Sequence, residues 1–167
     1  MNITFEHHFK AIPQEHIPHM FDILAGNMRI IAPTGDSYEE DRRIWLAEAV
    51  PAFEHVILIF NDGQLAGFFQ YRLLDNTLRM DEIQFAKPYQ GSGLFKLLYQ
   101  YITTIIPQDT QHVAACANKV NQKAQNILEY LGLQRIGENR NGKSFIYNGE
   151  YQAILEKYGN KSGETIF

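Results

Sequence analysis

Two short stretches of the chain carry residues whose types and spacing suit chemistry. The first is Gln90-Gly91-Ser92-Gly93, set directly before one of the most apolar helical patterns in the sequence. Glycine costs roughly 1 kcal/mol relative to alanine in a helix interior, so this junction needs bare backbone more than local stability. The first N–H groups of a helix have no internal partner, and the aligned peptide dipoles place partial positive charge there. Phosphate oxygens satisfy both. Glycines at 91 and 93 remove Cβ atoms that would hold such oxygens away and permit the dihedrals of a tight turn. Gln90 can add a side-chain donor and Ser92 a hydroxyl. The bland alternative is a pair of glycines that merely shapes a turn. A dinucleotide fingerprint needs a third glycine that this stretch lacks, and a P-loop needs a Gly-Lys-Ser/Thr that is absent.

The second stretch is Met80-Asp81-Glu82-Ile83, two adjacent acids midway along an otherwise apolar strand pattern, where acids are unusual. Strand side chains alternate, so only one of the two can face a given side unless a bulge intervenes. The other reading of the pair is a surface acid matched with Arg72 or Arg79 across neighbouring strands.

The elements that must position these residues follow from periodicity. ITFEHHF, residues 3–9, reads as a strand; apolar residues at Ile17, Met20, Phe21, Leu24 and Met28 form a helical stripe. RIIAPTGD, residues 29–36, reads as a loop, and Ser37 with Glu40 forms a capping-box signature for a second helix ending near Pro51. VILIF, QLAGFFQYRLL and TLRMDEIQF then read as three consecutive strands, joined at Asn61-Asp62-Gly63 and Asp75-Asn76. Leu94, Leu97, Leu98, Tyr101, Ile102 and Ile105 mark a third helix, ended by Pro107. HVAACA reads as a buried strand. Asn121 caps a helix closed by Gly132, and a hairpin turns at Asn141-Gly142. From about Tyr151 the tail reads as a short helix and a frayed end. The order β-α-α-β-β-β-α-β-α-β-β predicts one domain over residues 1–167, of mixed α/β class, with a largely antiparallel sheet flanked by helices.

Composition narrows the function. The chain has 167 residues, 45% of them hydrophobic and 20% charged, as in ordinary globular proteins. Net charge is −4, and Arg42-Arg43 sits in the mixed-charge run EEDRR, so no basic footprint suggests a nucleic-acid partner. A single cysteine, Cys116, excludes an internal disulfide; within VAACA it reads as a buried small apolar residue rather than a nucleophile. His16 and His19 read as surface histidines, and no metal is predicted. The start, MNITFEHHFK, lacks a signal-peptide stretch, and no run approaches the ~18 apolar residues of a spanning helix. A cytoplasmic protein without membrane association is expected.

The ordered motifs resemble the GNAT superfamily of acyl-CoA-dependent N-acetyltransferases. Its diphosphate motif, Gln/Arg-x-x-Gly-x-Gly/Ala after the fourth strand, is similar to Gln90-Gly91-Ser92-Gly93-Leu94-Phe95, departing at Phe95. Its second motif, Asn-x-x-Ala followed by a hydrophobic stretch and Gly-Phe, is similar to Asn121, Ala124, Leu131, Gly132 and Leu133. The resemblance covers nearly the whole chain. It implies acetyl-CoA as co-substrate, with backbone at Phe85, Ala86 or Lys87 pairing with the pantetheine arm. It also implies that amides of Gly91, Ser92, Gly93, Leu94 and Phe95 hold the diphosphate, and that Asn121 touches the cofactor, unless Asn121 is a plain helix cap.

An alkyl ammonium near pKa 10 must lose a proton before it attacks a thioester, so a carboxylate helps. The family often places its base at this part of the fourth strand, which points to Asp81 or Glu82, the latter ahead for reach. Relatives carry a proton-donating tyrosine where this chain has Leu128; Tyr130 lies about 200° around the helix from that position. Water, Tyr99 or Tyr147 could serve instead. The expected function is transfer of an acetyl group to a small-molecule or peptide amine in a ternary complex. The alternative is an acyl-CoA-binding or sensing module without catalysis. The acceptor would lie where the first two helices and their loop meet the last hairpin, with Trp45, Tyr38, Phe69, Tyr71 and Tyr147 as aromatic candidates. Acceptor identity, acyl chain length and homodimer formation stay open at this level.

Overall fold

The computed structural model describes residues 1–159. Its seven strands form one mostly antiparallel sheet in the order β1-β2-β3-β4-β5-β7-β6, flanked by helices, and the described chain divides into two compact units. The first unit holds residues 1–72 and 80–90; the second holds residues 73–79 and the chain from Gly91 onward. The frayed end expected beyond the last helix lies outside the described residues.

In the first unit, β1 (Ile3–Phe9) pairs antiparallel with β2 (His55–Asn61), Phe9 facing His55 and Ile3 facing Asn61. β2 pairs antiparallel with β3 (Gln64–Leu74), with a bulge between Ile59 and Phe60. Asp62 and Gly63 both take positive φ (50° and 82°), as a two-residue turn matched to sheet twist requires. β2 is buried on both faces from Val56 to Phe60, which explains its continuous apolar run. One face of the strands carries Val56, Leu58, Leu65 and Phe68. Against it pack Ile17, Met20, Phe21 and Ile23 of α1 (Ile17–Met28), together with Trp45.

α2 (Tyr38–Ile44) opens as its sequence promised: the Ser37 hydroxyl accepts the Glu40 N–H at 3.1 Å. Asp41, Glu39 and Glu40 complement the positive end of that helix. The helical path continues through a wide turn at Trp45–Ala49 and a tight one at Val50–Ala52, stopping beside Pro51. β4 (Thr77–Phe85) alternates Leu78, Met80 and Gln84 as its buried positions and ends in a tight turn at Lys87–Tyr89.

In the second unit, β5 (His112–Asn118) pairs antiparallel with β7 (Ser144–Glu150), and β7 with β6 (Gln134–Glu138). α3 (Leu94–Ile105) packs against α5 (Tyr151–Tyr158). Its buried face is rotated from the expected stripe: Tyr99 is buried and Leu97 exposed, because the Tyr99 ring packs tilted against Tyr158 at 5.5 Å. α4 (Gln122–Tyr130) is capped by Asn121, whose Oδ1 accepts the Ala124 N–H, and turns out through Gly132 at φ 94°.

The expectation of a buried Cys116 also fails. Cys116 is exposed, because Val113, Ala115 and Ala117, of the opposite strand parity, face the interior.

Candidate active site

The glycine turn lies in the second unit. Gly91 and Gly93 sit at φ 77° and 88°, in the left-handed region that a side chain resists. A Cβ built at either would point into open space, with no atom within 4 Å. Gly93 is the residue before α3, and no side chain caps that helix. The Gly93 carbonyl receives the Leu97 N–H at 3.3 Å, so the amides immediately after Gly93 have no intrahelical acceptor. This is a bare, positively polarised cradle of the kind an anionic group fills. Phe95 does not obstruct it by packing there: its ring lies on Tyr99 at 4.5 Å and reaches Tyr158 of α5 at 6.2 Å. Beside Phe95, the residues Gln122, Lys123, Asn126, Ile127 and Tyr130 of α4 border an open depression of about 520 Å³.

The tyrosine question resolves into positions. Leu128 is buried, and Tyr130 is 61% exposed beneath the Lys157 ammonium, 4.4 Å from the ring centre. Tyr99 is buried, and burial raises its hydroxyl pKa. Tyr147 is buried with its hydroxyl 3.5 Å from an Arg135 nitrogen.

The two acids lie in the first unit and diverge, as strand alternation requires. Asp81 turns outward into a two-pronged pair with Arg72, at 2.8 and 2.9 Å. Glu82 turns inward and lines a cavity of about 340 Å³ beneath α1 and α2. Although it keeps some accessible surface, its carboxyl is enclosed by protein. Burial is the largest influence on it and raises its pKa from 4.5 to about 7, a hydrogen bond from Gln84 acting in the other direction and the charge of Asp81 adding to the rise.

Gln84 belongs to a network the sequence did not announce. Its Nε2 donates to Glu82 Oε1, while its Oε1 accepts from Asn27 Nδ2 at 2.9 Å. Asn27 also donates to the Phe85 carbonyl at 2.8 Å, and Gln90 Nε2 donates both to Asn27 Oδ1 and to that carbonyl at 3.0 Å. The Gln90 amide, expected as a ligand donor, thus braces α1 against the end of β4. Ala86 donates its N–H to Ala66 at 2.8 Å and accepts from Tyr89, whereas the Lys87 carbonyl accepts from Gln90. Gln84 shares strand parity with Glu82, so its inward direction was readable; Asn27 gave no local signal.

The loop between α1 and α2 borders the same cavity. Ala32, Pro33 and Thr34 line the cavity, and Arg29 pairs with the buried Asp41 at 2.7 Å. Thr34 Oγ1 donates to Asp41 at 3.0 Å, and the Gly35 amide donates to the same oxygen. Of the expected aromatics in this unit, Trp45 lines the cavity; Tyr38 packs on Phe21 and bonds Asp22. Phe69 and Tyr71 pack on one another, and Tyr71 stacks with His55. Among the described residues no group of His, Cys, Asp or Glu could hold a metal ion, and no helix is long and apolar enough to cross a membrane.

A family model described as the acetyltransferase (GNAT) family matches residues 17–133. No curated protein matches the sequence. Among solved structures, the fold is similar to a PaiA N-acetyltransferase from Thermoplasma acidophilum in complex with coenzyme A, with TM-score 0.69 and 15% identity over 90% of this chain and 100% of that one. It is similar to an acetyltransferase from Thermus thermophilus, with TM-score 0.67 and 13% identity over 90% and 97%. It is also similar to a spermidine N-acetyltransferase SpeG chimera from Vibrio cholerae and hSSAT, with TM-score 0.63 and 14% identity over 93% and 99%.

Proposed function

The chain belongs to the acetyltransferase (GNAT) family, and from that membership we propose that it transfers acetyl from acetyl-CoA to a primary amine directly, within a ternary complex, using Glu82 as general base. The observation that carries this reading is the inward Glu82 carboxyl, whose pKa of about 7 suits proton transfer near neutral pH. An ordinary exposed carboxylate near 4.5 would be ionised but a poor acceptor for the proton of an alkyl ammonium. Asp81, held outward by Arg72, has no part in the step.

The proton balance is simple. Glu82 takes one proton from the ammonium, and the neutral nitrogen forms a bond to the thioester carbonyl carbon. The carbon–sulfur bond then breaks, the nitrogen gives up its second proton, and the thiolate gains one. Gln84 stabilises the ionised form of Glu82 through its hydrogen bond, and Asn27 fixes which end of the Gln84 amide does so.

The amides of Gly91, Ser92, Gly93, Leu94 and Phe95 hold the CoA diphosphate; the left-handed glycines, the open space beside them and the uncapped α3 support that assignment. Phe85, Ala86 and Lys87 would offer the pantetheine arm the backbone groups not already taken: the Phe85 carbonyl accepts from Asn27 and Gln90, the Ala86 N–H is committed to Ala66, and the Lys87 carbonyl accepts from Gln90. Asn121 keeps its Oδ1 on Ala124 and offers only its amide N–H groups to the cofactor.

The buried Leu128 favours a second reading, an acyl-CoA-binding module that does not turn over. One experiment separates them: free thiol release from acetyl-CoA over a panel of amines, beside a thermal shift with acetyl-CoA alone. Saturating ligand should stabilise by about 2–4 kcal/mol under either reading. Turnover on an amine supports transfer; binding without turnover on any acceptor supports the module. Well-oriented groups contribute roughly 7–11 kcal/mol, so transfer does not require a tyrosine acid.

A further inference from the structure

The cavity beneath α1 and α2 has chemistry more specific than an unspecified amine demands. Phe21, Leu24, Met28, Ile44 and Trp45 make most of its wall, and its volume of about 340 Å³ suits a compact organic molecule. Its charges are few. The Asp41 carboxylate is answered internally by Arg29, Thr34 and the Gly35 amide, and Glu48 is exposed. That leaves Glu82 as the inward acid. A second polar group remains without a partner: Gln70 is 7% exposed, lines the same cavity, and its buried Nε2 has no hydrogen-bond acceptor. A buried donor left unmade costs about 1–3 kcal/mol, which an oxygen on a ligand would recover.

Resting on the acetyl-transfer reading, we propose that the acceptor is a primary amine on an apolar body of aromatic size, with an uncharged oxygen on the carbon adjacent to the amine-bearing carbon. β-Amino alcohols and α-amino amides have this form. The nitrogen meets Glu82, the oxygen accepts from Gln70, and the body lies against Phe21, Met28 and Trp45. Gln70 on β3 and Glu82 on β4 stand on neighbouring strands and line the same cavity, and adjacent strands run about 5 Å apart, a span that a vicinal nitrogen–oxygen pair can bridge. A polyamine fits poorly, because its further ammonium groups would enter an apolar wall with no inward counter-charge. Water screens Glu48, so it compensates little. A vicinal carboxylate would meet the negative charge of ionised Glu82.

The test compares kcat/KM for thiol release with phenylalaninol, phenethylamine, phenylalanine and spermidine, with acetyl-CoA binding measured separately by calorimetry. Phenylalaninol should exceed phenethylamine by roughly three- to tenfold, the worth of one hydrogen bond. Both should exceed spermidine and phenylalanine by about a hundredfold or more. Gln70→Met, close in shape, should bring the phenylalaninol-to-phenethylamine ratio to about one. If that variant fails to fold, the ranking on the wild-type protein decides. Spermidine as best acceptor, or phenethylamine equal to phenylalaninol, overturns this assignment while leaving acetyl transfer standing. Absence of thiol release with every amine overturns both.

Discussion

Replacing Glu82 by glutamine removes one ionisable group while keeping the side-chain shape and an oxygen for Gln84 to bond. The consequence for stability can be worked from the environment of that carboxyl. Burial raises its pKa from 4.5 to about 7 in the folded protein. Between those values the folded state holds a proton that the unfolded chain has released, so stability falls as pH rises. The loss begins near pH 4.5 and is complete above about 7. At about 1.4 kcal/mol per pH unit, the full penalty is about 3 kcal/mol. Glu82→Gln does not incur it. Urea unfolding of both proteins should therefore show a gap in stability that is small at pH 4.5 and wider by about 3 kcal/mol, in favour of the variant, at pH 8. In thermal unfolding that corresponds to roughly 6–12 °C for a chain of this size. A gap that stays constant over the same pH range would refute the reasoning, because Glu82 would then titrate like an exposed acid.

Three further outcomes follow from other parts of the structure. Asp81→Asn should leave kcat/KM within about a factor of two and change stability by under about 1 kcal/mol, since its bond to Arg72 is a surface pair; a loss of activity comparable to that of Glu82→Gln would reverse the two roles. Gly93→Val places a branched side chain at φ 88°, which should destabilise the turn by about 1–2 kcal/mol and weaken CoA binding at least tenfold by calorimetry; unchanged affinity would remove the cradle from the account. His7 and His55 stack with their rings 5.1 Å apart, and burial lowers both pKa values below 6.5. The unfolded chain then binds more protons, so their contribution is present above pH 6.5 and is lost as pH falls through the lowered values. His55→Phe should flatten the acid limb of the unfolding curve, and an unaltered limb would show that the pair does not govern it.

Much of this architecture was legible because local chemistry and tertiary structure agree. Asp62-Gly63 turns where its dihedrals demand, Ser37 and Asn121 cap the helices they precede, and Gly91 and Gly93 take conformations that explain their presence. The divergence of Asp81 and Glu82 was also readable, since period-two alternation allows one of them inside. What escaped depends on pairing distant in sequence. Asn27 meets Gln84 and Phe85 across 57 and 58 residues, and Gln90 across 63, so no window on the chain reveals the brace. The inward face of α3 turned toward Tyr99 because α5 supplies Tyr158, a partner that helical periodicity cannot foresee. Cys116 was misjudged for a related reason: an all-apolar strand looks buried on both faces when only one is.

The claim on which the function rests is that Glu82 receives the amine proton. The most direct measurement is the pH dependence of kcat/KM for thiol release in the wild-type protein and in Glu82→Gln. The account predicts a wild-type rate that climbs with pH through an apparent value near 7, and a variant slowed by about a hundredfold or more with that limb gone. A variant with the wild-type rate and an unchanged profile would contradict it.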